Sequence, residues 1–481
     1  KKLGTMQRAS PLYVDGHIYT STANGRWYIL KPNGNSVDIV HRMRLNGEEV
    51  HGSPIVSHGR LYVPTTGALY CIGKPDHKPQ ADPRPEPPKE SPVEDDPTPT
   101  HVQVVPVESL LRSGEKAQSQ RFLVRLYNAK GQYLRTVDSS EVKFSIDGPG
   151  EIDASGKYAA PKEPVHAAVY VTARVGELTG QARIRVVPEL PWEFTFDDGE
   201  VPITWVGARY RHIVIDFDLF QKLTAANPMA GQLYIFLMSE FINSGRQTLK
   251  YDISTPAQKR TQLLRFVDLE DSVKTLDDAK KATGPALDLL KQEGVLKNWE
   301  WSLPKDAPEN EYALTVQRGD RGVTGNGVMV KITTIPKGTR SQAWMGHTHF
   351  HDYTIEADVM GAEKHGKLPD IGLIGQRYTI DLMGASQQLQ IRTWPPQLRM
   401  AKTVPFQWKA NTWYRLKMRC SVEDGKAVLR GKAWVRGTPE PKEWLVEAVD
   451  ESPNVQGSPG LYGNAKDAEI FYDNIRVYYN D

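Results

Sequence analysis

The segment ASPLYVDGHIYTSTANGRWYIL, starting at Ala9, recurs as GSPIVSHGRLYVPTTGALYCIG starting at Gly52, an offset of 43 residues. Both copies open on Ser-Pro and run through a short apolar stretch into a turn, Asp15-Gly16 or His58-Gly59. A second stretch with alternating tyrosine and a third after a glycine turn follow. Strands this short cannot bury a face alone, so the repeat predicts small antiparallel sheets that stabilise one another by packing side by side.

A period of about 40 residues with several short strands is that of a propeller blade. The two copies resemble the PQQ-like β-propeller repeats of bacterial quinoproteins and outer-membrane-assembly lipoproteins. Residues 1–75 hold about two blades, whereas a propeller takes about 4–8, so the remaining blades are expected to precede residue 1. The opening KKLGTMQRASPLYV, with no initiator methionine or apolar leader, fits that expectation. In the family a Thr-Gly followed by tryptophan at the end of a blade docks the quinone. Here that place reads KPNGNSVDIVHRMRL, without tryptophan, so binding of PQQ is not supported.

Proline and charge dominate residues 76–100, which read as a solvated, semi-extended linker. Residues 101–188 alternate apolar and polar positions, with turns at Lys130-Gly131, Gly148-Pro149 and Ser155-Gly156, as in an all-β sandwich. The stretches SGEKAQSQRFLVRLYNAKG, VKFSIDGPGEIDASGKYAAP and ARIRVVP are similar to bacterial immunoglobulin-like domains, which implies a spacer or adhesion module.

Residues 189–481 open on PWEFTFDDGEVPITWVGARY and close on EIFYDNIRVYYND. This bracketing resembles the concanavalin-like jelly rolls of lectins and glucanases, in which first and last strands pair in one sheet. Helical spacing in GQLYIFLMSEFINSG, TPAQKRTQLLRFVDLEDSVKTL and GPALDLLKQEGVL predicts a helical insertion over about 216–308, with a capped start at Thr255-Pro256. The fold class is therefore mainly β and multidomain: partial propeller blades, an immunoglobulin-like sandwich, and a jelly roll carrying a helical insertion.

A net charge of +2 gives no field that would imply a nucleic-acid partner. No window approaches the ~18 apolar residues of a membrane span. Cys71 and Cys420 fall in different predicted domains, so no disulfide is expected between them.

The candidate sites cluster in the last domain. WMGHTHFHDYTIEADVMG places His347, His349 and His351 at alternate positions ahead of Glu356 and Asp358. Three imidazoles on one strand face would suit zinc, but a polar loop leading into a strand near His351 is the preferred reading. Glu356 and Asp358 share the polar face of that strand, as paired carboxylates of a glycosidase would. The retaining β-glucanases of the resembled fold carry Glu-x-Asp-x-Glu, and here the third position is Met360, so no catalytic role is expected of the candidates Glu356 and Asp358. Asp197, Asp198 and Asp473 fall on the first and last strands, where a structural calcium is possible. Ten of eleven tryptophans follow residue 188. Sugar rings stack on such side chains while neighbouring polar groups bond the hydroxyls. Gln390, Arg392 and Trp394 share one strand face and are the favoured sugar contacts.

These residues predict a non-catalytic, extracytoplasmic (periplasmic, cell-surface or secreted) binding or scaffolding protein with carbohydrate as favoured ligand, or a cell-surface protein as partner, and no required cofactor. A glycan-active hydrolase or lyase is one alternative, and a propeller-based assembly factor of the outer-membrane lipoprotein type is another.

Overall fold

The computed structural model describes the chain except residues 1–2, 4–6, 24, 46–47, 75, 77, 79–95, 209–211, 254–261, 270, 304–311, 333–339, 394–399 and 465–467. It is mainly β and divides into two compact units, 1–95 and 96–481. No helix among the described residues is long and apolar enough to cross a membrane.

In the first unit the repeat is visible as two small antiparallel sheets. Leu12–Val14, His17–Ser21, Arg26–Asn33 and Ser36–Arg44 form four strands in sequence order, and Ile55–Ser57, Arg60–Pro64 and Leu69–Ile72 form three. Asp15-Gly16 and His58-Gly59 both have positive φ, as two-residue hairpin turns require. The Ser10 amide donates to Ser53 Oγ, its repeat counterpart, at 2.9 Å, and Trp27 of the first copy packs on Leu61 and Val63 of the second. A closed propeller is not among the described residues. The counterpart of Ser36–Arg44 in the second copy would fall in the proline-rich stretch, outside them.

Residues 101–187 form a small sandwich whose core includes Val104, Phe122, Val124, Tyr158, Val171 and Ile184. Its final strand, Leu178–Val187, pairs parallel with Glu108–Arg112.

In the C-terminal sandwich the elements are β1 (Trp192–Phe194), β2 (His212–Asp216), α1 (Phe217–Ala226), α2 (Pro228–Ser244), β3 (Thr248–Ile253), α3 (Gln262–Phe266), α4 (Leu276–Gln292), β4 (Leu296–Ser302), β5 (Tyr312–Arg318) and β6 (Gly327–Lys331). They continue with β7 (Arg340–Trp344), β8 (Tyr353–Gly361), β9 (Asp370–Gly375), β10 (Tyr378–Met383), β11 (Gln388–Thr393) and β12 (Ala401–Pro405). The last five are β13 (Tyr414–Glu423), β14 (Lys426–Val435), β15 (Val446–Asp450), β16 (Gly460–Asn464) and β17 (Ile470–Tyr479). The larger sheet runs β2-β6-β17-β8-β13-β14-β15, with β1 also paired to β17; the smaller runs β7-β16-β9-β10-β11-β12. First and last strands thus meet, Glu193 opposite Arg476. Alternate residues of each strand fill the space between the sheets: Tyr353, Ile355, Ala357 and Val359 from β8 meet Leu373, Ile380 and Ile391 from the smaller sheet. These side chains lose nearly all contact with water, which is worth about 1.5–3 kcal/mol for each of the larger aliphatic ones.

The insertion departs from the expected purely helical segment. It occupies everything from α1 to β5, between the paired strands β2 and β6, and contains a three-stranded sheet β3-β5-β4 as well as helices. Asp216 caps α1, Asn227 caps α2 ahead of Pro228, and a Thr275–Asp278 capping box starts α4. Thr255-Pro256 lies outside the described residues. Leu233, Leu237, Phe241, Leu287 and Leu290 pack with Leu314 and Val316 and reach the outer face of the larger sheet through Ile213, Val330, Met360 and Phe471. Met360, at the place of the third acid in Glu-x-Asp-x-Glu, is therefore buried beneath the insertion.

Candidate functional site

The outward residues of the larger sheet that the insertion leaves uncovered stand in cross-strand rows. One row runs Asp473, Asp358, Arg415, Trp434 over β17, β8, β13 and β14. A second runs Glu193, Arg476, Glu356, Lys417, Lys432. A third runs Tyr478, Thr354, Arg419, Arg430, Glu447. The first row depends on a β-bulge. Between the pairs Glu356–Arg476 and Asp358–Asp473, β17 spends one residue more than β8. Asn474 takes φ +47° there, a conformation asparagine tolerates better than most residues. The extra residue turns Asp473 outward beside Asp358.

Three carboxylates converge in this way, and all are engaged. Arg415 Nε donates to Asp358 Oδ1 at 2.6 Å and its Nη1 to Glu356 Oε1 at 3.1 Å. Lys417 Nζ lies 3.4 Å from Glu356 Oε2, to which the Tyr478 hydroxyl also donates. Asn474 Nδ2 donates to Asp358 Oδ2 at 3.0 Å and Asp473 Oδ2 at 2.9 Å, and Arg436 Nη1 sits 3.5 Å from both oxygens. The Asp358 side chain is 1% exposed. Burial, reinforced by the Asp358 charge, lifts the Asp473 carboxyl to about 6.

That shift has a consequence for stability. With a folded value above the ordinary 3.8, Asp473 favours the fold when protonated, and this contribution is lost as pH rises from about 4 through about 6. Asp473→Asn is therefore expected to raise the melting temperature relative to the native chain at pH 8 and to leave the difference near zero or reversed at pH 4. Thermal scans of both proteins at the two pH values check this.

Above the carboxylates lies a layer of cations and aromatics. The Arg436 guanidinium rests 4.7 Å from the Trp413 ring centre, and Lys432 Nζ 4.5 Å from that of Trp444. Trp413 packs edge-on against Phe217 of α1, so the insertion borders the layer. Glu440, from the β14–β15 connection, bridges Lys432 and Lys417 at 2.7 and 3.1 Å. Trp413, Trp434, Trp444 and Tyr478 are all partly exposed. The sequence held the clue to this face: apolar Tyr472 and Ile475 are spaced by three, which breaks the period of two and marks the bulge.

The other candidates are placed differently. Gln390 and Arg392 lie on the outer face of the smaller sheet. Gln390 Nε2 donates to Thr403 Oγ1, and Arg392 Nε to Asp381 Oδ2 at 2.7 Å, with its guanidinium 5.4 Å over Tyr462. Trp394 lies outside the described residues. Asp197 Oδ1 accepts from the Gly327 amide and Asp198 Oδ1 from the Glu200 amide, whereas Asp473 belongs to the carboxylate row. His351 pairs with Asp352 on the surface, and only His347 and His349 approach each other, ring centres 5.0 Å apart. Strand β8 begins at Tyr353, so the histidines precede it. Among the described residues no group of three His, Cys, Asp or Glu is arranged to hold a metal ion.

No protein-family profile and no curated protein matches the chain. Solved structures similar to part of it include a glycoside hydrolase family protein from Mycobacterium thermorestibile, at 15% identity, TM-score 0.24, over 37% of this chain and 92% of that one. A β-1,3-glucanase from Mycobacterium marinum matches at 14%, TM-score 0.22, over 37% and 90%. The galectin LEC-6 of Caenorhabditis elegans matches at 7%, TM-score 0.22, over 31% and 96%.

Proposed function

We propose that the C-terminal sandwich binds carbohydrate, without cleaving it, on the outer face of its larger sheet. The observation that carries this reading is the layer of Trp413, Trp434, Trp444 and Tyr478, partly exposed and interleaved with side chains already fixed by ion pairs. Pyranose rings offer an apolar C–H face to an indole and hydroxyls to the charged groups around it. Fixed polar partners lose little freedom on binding, which favours a ligand that needs many weak, oriented hydrogen bonds.

Binding is preferred to hydrolysis because of the Arg415 clamp. A general acid must hold a proton and a nucleophile must be free to attack; Glu356 and Asp358 instead share one guanidinium, and Asp358 has almost no exposed surface. The raised Asp473 is the one feature that favours chemistry, and it lies beneath Arg436. The test is affinity electrophoresis of the full chain through gels containing soluble polysaccharides, with an assay for new reducing ends on the same substrates. Retardation without release of reducing ends is expected. Release that Glu356→Gln abolishes would replace the binding reading with an enzymatic one.

A further inference from the structure

We propose that a histidine cluster makes the junction between the small sandwich and the C-terminal sandwich open on mild acidification. This inference is independent of the carbohydrate reading.

The junction is built around Trp192 of β1. Its indole Nε1 donates to the carbonyls of Pro188 and Glu189 in the connecting segment. Its ring meets Phe350 edge-on at 5.2 Å. Gly346 permits this approach, since a Cβ there would lie 2.5 Å from the Trp192 ring and 3.2 Å from Val187 of the small sandwich.

Imidazoles enter from both sides. His166 of the small sandwich stands edge-on to Trp192 at 5.1 Å and to Phe194 at 5.2 Å. His347 and His349 come from the loop before β8 and pack on Phe350. His166 Nδ1 and His347 Nε2 are buried with no hydrogen-bond partner among the described residues. Among the described residues, the charged and titratable groups facing the cluster are Arg112 of the small sandwich, Glu189 of the connection, His351 of the same loop, and Tyr479 of β17. Glu189 is already bonded by Arg112 Nη1 at 2.8 Å and by the Tyr479 hydroxyl at 2.7 Å. A proton added to His347, whose ring already bonds the Val187 backbone, would therefore meet one occupied carboxylate, the Arg112 cation and a neighbouring imidazole; one added to His166 would meet two aromatic rings.

Burial accordingly holds both His166 and His347 at about 4, against an ordinary 6.5. The closed junction excludes protons that an open one would take up, so its stability is complete above pH 6.5 and is lost as pH falls from 6.5 toward 4. Glu189 has the same sense in a lower window: held below the ordinary carboxylate value by its bonds to Arg112 and Tyr479, it loses its contribution only as pH falls below the carboxylate range.

Hydrogen exchange of the full chain tests this, read on peptides covering Val187–Phe194 and Met345–Asp352 at pH 7.5 and 5.0 after correction for intrinsic rates. The opening equilibrium is expected to rise about tenfold or more at pH 5.0, with a midpoint between 4 and 6.5. In a His166→Phe/His347→Asn variant the rise should fall to the smaller part that His349, also held below its ordinary value by burial, supplies, whereas Glu189→Gln should keep the midpoint. If the double variant does not fold, the midpoint in the native chain and in Glu189→Gln decides. Unchanged protection at pH 5.0, a loss confined to pH below 4, or a loss that persists undiminished without the two histidines would overturn the proposal.

Discussion

Arg415→Met is expected to lower the unfolding free energy of the C-terminal sandwich by about 3–5 kcal/mol, the usual cost of removing one partner from a buried ion pair. The effect is large because Arg415 serves two carboxylates on one strand, Glu356 and Asp358. Without it, two like charges at alternate positions of β8 face each other, with Asp473 a third across the strand pair. Asn474 and Arg436 would still hold Asp358, which keeps the expected loss within that range. Denaturant unfolding followed by tryptophan fluorescence measures it. A companion substitution, Arg476→Met, removes a guanidinium whose pair with Glu193 is half exposed on both sides; it should cost less than about 1 kcal/mol. The contrast between two arginines on one face separates a buried clamp from a solvated pair.

The second large effect is on binding. Trp434 stands at the end of the first row, opposite Arg415 and partly exposed, with no ring contact to another aromatic side chain among the described residues to hold it for packing. Trp408, by contrast, is 3% exposed and packs edge-on against Tyr414 in the core. Trp434→Ala is therefore expected to weaken carbohydrate affinity by about 30-fold, equivalent to about 2 kcal/mol for a central aromatic contact, while shifting the melting temperature little. Trp408→Ala should do the reverse, costing about 3–5 kcal/mol of stability.

Much of the architecture follows from local pattern. The alternation Tyr353, Ile355, Ala357, Val359 against Thr354, Glu356, Asp358 is the inward and outward alternation of β8 in the structure. The Asp-Gly and His-Gly turns of the repeat carry the positive φ values their residue types favour. What eluded pattern reading was created by tertiary context. The strands of the insertion, LKNWEWS and YALTVQR, lie next to strongly helical stretches, and their pairing is set by the helices packed on them. The alternating histidines share the parity of β8 but precede it, because Asp352 takes φ +51° and ends the extended run. The third acid of the carboxylate group comes from a neighbouring strand through a bulge, which no single-strand spacing contains. The cation layer was hidden for the same reason, since Arg415, Lys417, Lys432 and Arg436 meet only when β13 and β14 are side by side.

The two outer faces of the C-terminal sandwich are rivals as the carbohydrate surface, and one titration distinguishes them. Isothermal calorimetry of the full chain with the polysaccharide that retards it most would be run on the native protein, Trp434→Ala and Arg392→Met. Loss of about 30-fold in affinity for Trp434→Ala, with Arg392→Met near the native value, is the result expected of binding on the larger sheet. Native affinity in Trp434→Ala, with binding lost in Arg392→Met, would contradict that placement and move the site to the smaller sheet.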